Sequence, residues 1–398
     1  FWLKRSTPPL ADRPRPARRK TSAMATMPSL STPITELFGI RHPVMLAGMN
    51  VAAGPELVAA VSNAGGLGVF GGVNYTPKML RMKIQEVKTN LKDPKTPFGV
   101  DLLLPKVGEG ARATNKDYTN GALSSLVDVI IEEGASLFVA AIGVPPRFVV
   151  DKLHAAGIPV MNMIGSPNHV QKALESGVDL ICAQGGEGGG HTGEVATSIL
   201  IPTVVDLVRG KMSPLTGKQV SVVAAGGIFD GRGLAMALSL GADAVWVGTR
   251  FVASAEGGAP RAHKEAVVAA GVHDTHRCEA FSGRPLRVIK TKYSEKWLGS
   301  RLGEMRELLA KGTVPVEADF ARWQSAEGDE EEQKRLAQQF GMDSFGTQIA
   351  SQVHLCGQVA GAIREVLPAQ AIVEEMVSGA CEMLRTNSAK VSWPSAKL

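Results

Sequence analysis

From residue 43 onward, short apolar runs alternate with amphipathic segments. The runs are Pro43–Gly48, Leu67–Gly72, Phe98–Leu104, Ser136–Ala141, Pro159–Ile164, Leu180–Gly185, Ser221–Gly227 and Ala244–Arg250. Continuous apolar runs suit parallel strands buried on both faces, whereas half-buried strands alternate. Between them Pro55–Asn63, Pro77–Leu91, Pro146–Ala156, Pro167–Ser176 and Gly231–Leu240 read as helices. Most open on proline, whose missing N–H does no harm in a first turn. Eight such units in about 210 residues predict an α/β fold, a (β/α)8 TIM barrel, in preference to an open doubly wound sheet.

The eighth helix does not follow the eighth run directly. Residues 256–350 are more polar and irregular, and an apolar helical pattern resumes at Val353–Val366. The expected organisation is a disordered basic tail over 1–30, a barrel over 33–255 plus 353–386, an inserted cap or substrate domain over 256–352, and an exposed C-terminal tail over 387–398. The acidic stretch Asp329–Glu332 reads as a solvated helix face.

Charge changes this picture little. The formal net charge is +5, but Lys4, Arg5, Arg13, Arg15, Arg18, Arg19 and Lys20 all lie in residues 1–23 against one acid, Asp12. The remainder is close to neutral, which argues against nucleic acid as a partner. The tail reads as disordered or as a leader; its four prolines oppose the amphipathic helix of a mitochondrial transit peptide. No apolar run approaches the roughly 18–20 residues of a membrane-spanning helix. Cys182, Cys278, Cys356 and Cys381 are far apart and form no CxxC, which suits a reducing compartment and supplies no zinc site. His273-Asp274-Thr275-His276 with Cys278 lacks a matching second cluster, so no metal is expected.

Barrel active sites lie at the C-terminal ends of the strands, and phosphate groups are often held after strands seven and eight. Ala224-Ala225-Gly226-Gly227 ends the seventh run and leads into Asp230-Gly231-Arg232-Gly233; Val247-Gly248-Thr249-Arg250 ends the eighth. Glycines there let backbone N–H groups reach phosphate oxygens. After the sixth run comes AQGGEGGGHTG, residues 183–193, with six glycines in eleven residues. Each glycine in ordered structure costs roughly 0.5–1 kcal/mol relative to alanine, so the run needs a structural reason. Strand alternation puts Leu180, Cys182 and Gln184 on one face with Gln184 nearest the mouth. Gly188, Gly189 and Gly190 then lay bare backbone along a ligand, and His191 follows as an acid–base residue. Glu187 reads as a loop-ordering acceptor.

AQGGEGGGHTG resembles the signature of the nitronate monooxygenases, formerly 2-nitropropane dioxygenases, and of related FMN-dependent enoyl-acyl-carrier-protein reductases. The likeness extends to PVMLAGMN (Pro43–Asn50), AGGLGVFGG (Ala64–Gly72), AAGGIFDGRG (Ala224–Gly233), GADAVWVGTRF (Gly241–Phe251), FSGRP (Phe281–Pro285) and GQVAGAIREVLPA (Gly357–Ala369). Gly188 replaces the usual Ala, and Gly48 stands where the pattern has Pro. The resemblance implies FMN, with its phosphate on the backbone of Gly189 or Gly190, Gly226, Gly227, Gly248 and Thr249. Ala47, Gly48 and Met49 would line the isoalloxazine and Gln184 would touch it. Asp101 stands where such proteins often have Asn, and an inward carboxylate suits an electron-rich reduced flavin less well than an amide.

The activity implied is oxidation of alkyl nitronates or nitroalkanes by dioxygen to carbonyl compounds and nitrite, with His191, at an ordinary pKa near 6.5, taking the α-proton or holding the anion. The alternative is an NAD(P)H-dependent flavin reductase of quinones or enoyl thioesters. A sugar-phosphate lyase or isomerase would usually need a lysine or paired carboxylates at strand ends, and the eight runs hold no lysine. Ala396-Lys397-Leu398 resembles a peroxisomal address. A peroxisomal location with the import receptor as partner is therefore expected, with cytoplasm the alternative.

Overall fold

All eight apolar runs become strands, in a computed structural model that describes residues 28–341 and 353–392. They are β1 Val44–Leu46, β2 Gly68–Gly71, β3 Phe98–Leu103, β4 Leu137–Ala141, β5 Val160–Ile164, β6 Leu180–Gln184, β8 Ser221–Ala225 and β9 Ala244–Val247. Their order in the sheet is β1-β9-β8-β6-β5-β4-β3-β2, and neighbours run parallel. A parallel bridge between Met45 and Leu67 closes the ring, with Leu46 N–H donating to Leu67 O at 2.9 Å. The fold is the TIM barrel that the pattern predicts.

Two apolar layers explain why the runs are continuous. Met45, Val69, Val139, Met161, Cys182 and Val223 fill the barrel, joined by Ile34 and Phe38 from the short helix Pro33–Phe38. Their strand neighbours Val44, Phe70, Val100, Phe138, Ile181 and Val222 face the surrounding helices. Fully burying such a side chain contributes roughly 1.5–3 kcal/mol, so a polar residue in either layer needs a reason.

The predicted helices form close to their expected bounds, at Pro55–Asn63, Pro77–Asn90, Arg147–Ala155 and Gly231–Ser239; Pro167–His169 is a 3-10 turn leading into Val170–Glu175. The closing helix differs from expectation. Val353–Val366 is not an α-helix: it holds an isolated bridge at Leu355 and then a 3-10 turn over Gln358–Ala362. Gly357 is the reason, since its N–H is drawn to Thr249 Oγ at 2.8 Å and a Cβ there would lie 2.6 Å from Glu187 O. Ala369–Ser388 is the helix that completes the ring. It packs so closely on Gly231–Ser239 that a Cβ on Gly231 would stand 2.5 Å from the Gly379 carbonyl carbon.

Between β9 and that helix the chain forms helix Arg261–Ala269, a hairpin of β10 Thr275–Cys278 and β11 Leu286–Ile289, and helices Lys292–Leu298, Leu302–Ala310, Pro315–Ser325 and Glu330–Phe340. These helices share an apolar cluster that includes Tyr293, Trp297, Met305, Leu336 and Phe340. Buried Arg301 joins them by pairing with Asp319 at 2.7 Å and lying over the Trp297 ring at 3.5 Å. The acidic stretch caps the last of them: Asp329 accepts from Glu332 N–H, and Glu330, Glu331 and Glu332 sit at the positive end of the helix dipole. β11 also pairs with β7, the two-residue strand Gly190–His191, which ties this region to the glycine-rich loop. No described helix is long and apolar enough to cross a membrane. Most of the basic tail and the tripeptide Ala396–Leu398 lie outside the described residues.

Candidate active site

The glycine-rich loop is dense in glycine chiefly because the chain meets itself there. A Cβ on Gly185 would run into Thr197, and one on Gly193 into Gly165 O. On Gly186 it would lie 3.0 Å from Glu194 O, on Gly188 2.6 Å from Gln184 Nε2, and on Gly189 2.6 Å from the backbone of Cys356 and Gly357. Gly190 has open space but φ of +70°, a conformation costly for other residues. The expectation that Gly188–Gly190 lie bare along a ligand therefore changes for Gly188 and Gly189, whose Cβ sides face this protein's own chain.

Polar groups fix the loop's path. Cys182 faces the barrel interior and Gln184 stands at its mouth, donating to Gly189 O at 3.2 Å and His191 O at 3.0 Å. Glu187 accepts from Thr197 N–H and Oγ–H, the latter at 2.6 Å, so it orders the loop. Arg287 of β11 donates to Gly186 O at 2.9 Å, and Arg277 of β10 reaches Thr192 O at 3.3 Å.

His191 is half-buried, and its Nε2 lies 2.8 Å from Ser282 Oγ. Ser282 Oγ–H donates to Arg284 O at 3.3 Å, so its oxygen accepts from Nε2–H. That assignment leaves Nδ1 as the ring's lone pair, with no partner among the described residues. Burial, reinforced by the Arg284 guanidinium, pushes the imidazole down to about 4. The ordinary pKa near 6.5 expected from sequence does not hold; at neutral pH the ring is an uncharged base.

The positive charge that acts on His191 is Arg284, whose Nε and Nη2 both donate to Asn115 Oδ1, at 3.0 and 2.7 Å. A neutral amide orients the guanidinium without cancelling its charge, and no carboxylate pairs with it among the described residues. Burial and nearby Arg112 hold its pKa below the ordinary value. Motif reading placed FSGRP only as family likeness and did not see Arg284 or Asn115 in the site. Their neighbourhood joins segments 169 residues apart, and no local spacing encodes that.

The glycines after β8 and β9 behave differently. The N–H groups of Gly189, Gly226, Gly227 and Gly248 find no acceptor among the described residues. Gly226 and Gly227 hold φ of +89° and +74°, and a Cβ on Gly226 would come 3.2 Å from Gly188 N, so the two turns touch. Thr249 is buried and its hydroxyl accepts from Gly357 N–H, which connects it through Gly357 to Gly189. Gly248 lies beside Ala47 and Met49, with 3.5 Å from its ideal Cβ position to Ala47 Cβ and Met49 Sδ. Gly48 packs on Asp101, whose carboxyl lies within 2.5–2.9 Å of where a Gly48 Cβ would be. Open amides beside a shallow apolar floor are what an anionic tail joined to a flat ring requires. The residues present fit FMN.

The sequence profile of the nitronate monooxygenase family matches residues 31–379. A (3aS,4S,5R,7aS)-5-hydroxy-7a-methyl-1-oxo-octahydro-1H-indene-4-carboxyl-CoA dehydrogenase of Rhodococcus jostii is 40% identical over 284 residues, 71% of this chain and 72% of that protein. A probable nitronate monooxygenase of Staphylococcus saprophyticus is 32% identical over 67% of this chain and 81% of that one. Among solved structures, FabK from Thermotoga maritima superposes with a TM-score of 0.70 at 31% identity, over 91% of this chain and 100% of that one.

Proposed function

This chain belongs to the nitronate monooxygenase family of oxidoreductases, and from that premise we propose that it oxidises alkyl nitronates or nitroalkanes with FMN and dioxygen. The observation that carries the proposal is a half-buried imidazole, its Nε2 tied to Ser282 and its Nδ1 without a partner among the described residues, in the field of a guanidinium that a neutral amide orients. Removing a proton from carbon beside a nitro group leaves a nitronate anion. His191 Nδ1 takes the proton, and Arg284 faces the charge that develops. His191 need not be protonated to hold the anion, because Arg284 supplies the positive charge. Gly189, Gly226, Gly227, Gly248 and Thr249 would hold the FMN phosphate, Ala47, Gly48 and Met49 would line its ring, and Gln184 would meet its edge. Bound there, FMN supplies the electron acceptor and the reactivity toward dioxygen. Residues 256–352 serve as the cap, with β10 and β11 holding the loop that carries His191.

The test is reconstitution with FMN followed by oxygen uptake and nitrite release on adding an alkyl nitronate. A yellow protein with nitronate-dependent uptake supports the reading; a protein that takes up no FMN rejects it. A second reading rests on the higher identity to the Rhodococcus dehydrogenase than to the Staphylococcus protein. It keeps the base, the arginine and the flavin and replaces the nitro compound with an alicyclic hydroxyacyl-CoA thioester. Anaerobic bleaching of the flavin by such a thioester, and not by a nitronate, favours it. Bleaching by NADH alone favours a reductase. A peroxisomal location, with the import receptor as partner, belongs to the proposal on Ala396-Lys397-Leu398 alone. Deleting Leu398 from a fluorescent fusion should disperse it into the cytosol, and persistent puncta reject that location.

A further inference from the structure

Asp101 is a carboxyl group buried inside the barrel. β3 turns Val100 and Leu102 toward the helices, so Asp101 points inward between Gly71 and Val139, its register partners on β2 and β4. It is 4% exposed, and its Oδ1 has no hydrogen-bond partner. A buried ionised carboxylate without a partner is among the costliest arrangements a protein can hold, and such a group takes up a proton instead. Here burial alone pushes its pKa up to about 8. The titratable group facing it is the Cys182 thiol on β6, itself buried and held neutral. No cation or second carboxylate acts on it from β1, β2 or β4.

Gly48 on the first βα loop makes room for this acid. Any Cβ at 48 would overlap the Asp101 Cβ and Oδ2, both 2.5 Å from the ideal position. The chain at Met49–Asn50 folds over Gly71, whose own Cβ would come 3.0 Å from Asn50 N. The carboxyl therefore lies against Gly48, in the segment 47–49 whose Ala47 and Met49 stand beside Gly248.

We propose that Asp101 is a neutral carboxylic acid that donates a hydrogen bond to the flavin ring lying over residues 47–49, and that Gly48 is the residue that lets it reach. The inference rests on the FMN reading above and adds to it a residue that sets the ring's reduction potential. A carboxylic acid here does what an amide would do, which removes the conflict between an inward acid and an electron-rich ring. It also adds one property an amide lacks. Negative charge arriving on the ring raises the acid's affinity for its proton further. Above the pH at which Asp101 ionises beside oxidised flavin, reduction therefore draws one extra proton onto Oδ1 or Oδ2.

The experiment is the midpoint potential of the FMN-loaded protein as a function of pH, for wild type, Asp101→Asn and Gly48→Ala. In wild type the slope should double above about pH 8, from one proton per two electrons to two. Asp101→Asn, which keeps a donor at that position, should still take up FMN and show a single slope. Gly48→Ala should displace the carboxyl and shift the visible flavin band. Independently of FMN, the infrared spectrum of the apoprotein at neutral pH should contain a protonated-carboxyl stretch that Asp101→Asn lacks. Identical slopes in wild type and Asp101→Asn, or no such stretch, overturn this inference and leave the cofactor reading standing. Failure to bind FMN overturns both.

Discussion

The two sets of glycine turns at the mouth of the barrel use the same residue for opposite ends. After β6, five of six glycines exist because another stretch of this chain occupies the place of a side chain. After β8 and β9, Gly227 and Gly248 have ordinary room, 3.5 Å to the nearest atom, yet their amides have no acceptor. The dense run builds a rigid bracket that presents His191 and leaves one amide open, that of Gly189; the sparse glycines present the other hydrogen-bond donors. Glycine density by itself reports how tightly chain packs on chain. A ligand site is marked by the donors left over.

Substitutions that separate these roles test the comparison. The largest effect belongs to the group that the bracket presents. His191→Asn should lower turnover of a neutral nitroalkane by about 10²–10⁴-fold, the usual worth of a positioned base, with melting temperature and FMN affinity unchanged. Steady-state oxygen uptake reads the first and thermal denaturation the second; a parallel fall in stability would show the histidine to be part of the bracket.

Next comes the bracket itself. Gly189→Ala would force a methyl into the backbone of Cys356 and Gly357 and should cost about 1–3 kcal/mol in a denaturant titration. Gly248→Ala should cost little by the same measure.

The donors are tested by removing one. Gly248 follows a residue already in a strand, but its φ of −105° lies well off the value near −65° that a proline ring holds, so proline there costs some backbone adjustment as well as the N–H. Gly248→Pro removes that N–H and should weaken FMN binding by about tenfold or more, as expected for a hydrogen bond to a charged group at ~1.5–3 kcal/mol, and a denaturant titration of the same variant reads the cost of the ring separately. Gly248→Ala keeps the N–H and should bind FMN as wild type does. Equal affinities for the proline and alanine variants would remove this amide from the site.

The smallest effect is expected from Ser282→Ala. Nε2 loses the acceptor that fixes its tautomer, so turnover should fall severalfold, while stability should fall by no more than the hydrogen bond's net worth of about 1 kcal/mol.

How much was legible beforehand follows from how local each signal is. The strands were readable because both faces of each are buried, which leaves an unbroken apolar run such as Leu137–Ala141. The inward face of Cys182 and the loop-ordering part of Glu187 followed from alternation and chemistry. The helical pattern of Val353–Val366 misled because Gly357 answers to Thr249 and Glu187, which lie far off in sequence. The lowered pKa of His191 was hidden for the same reason: it depends on Arg284 and on burial beneath residues that the chain reaches some ninety positions later. Gly48 and Asp101 were each visible as a departure from the family pattern, and only the fold shows that the two departures touch.

The central claim is that an uncharged imidazole takes the substrate's proton beside a permanent positive charge. Anaerobic bleaching of FMN-loaded protein by a neutral nitroalkane, followed against pH, tests it most directly. A lowered imidazole pKa keeps the base free above that value and loses it as pH falls through it. The bleaching rate should therefore stay level from neutrality down to about pH 5 and reach half its maximum near pH 4. A half-maximum near 6.5, where an ordinary imidazole titrates, would contradict the account.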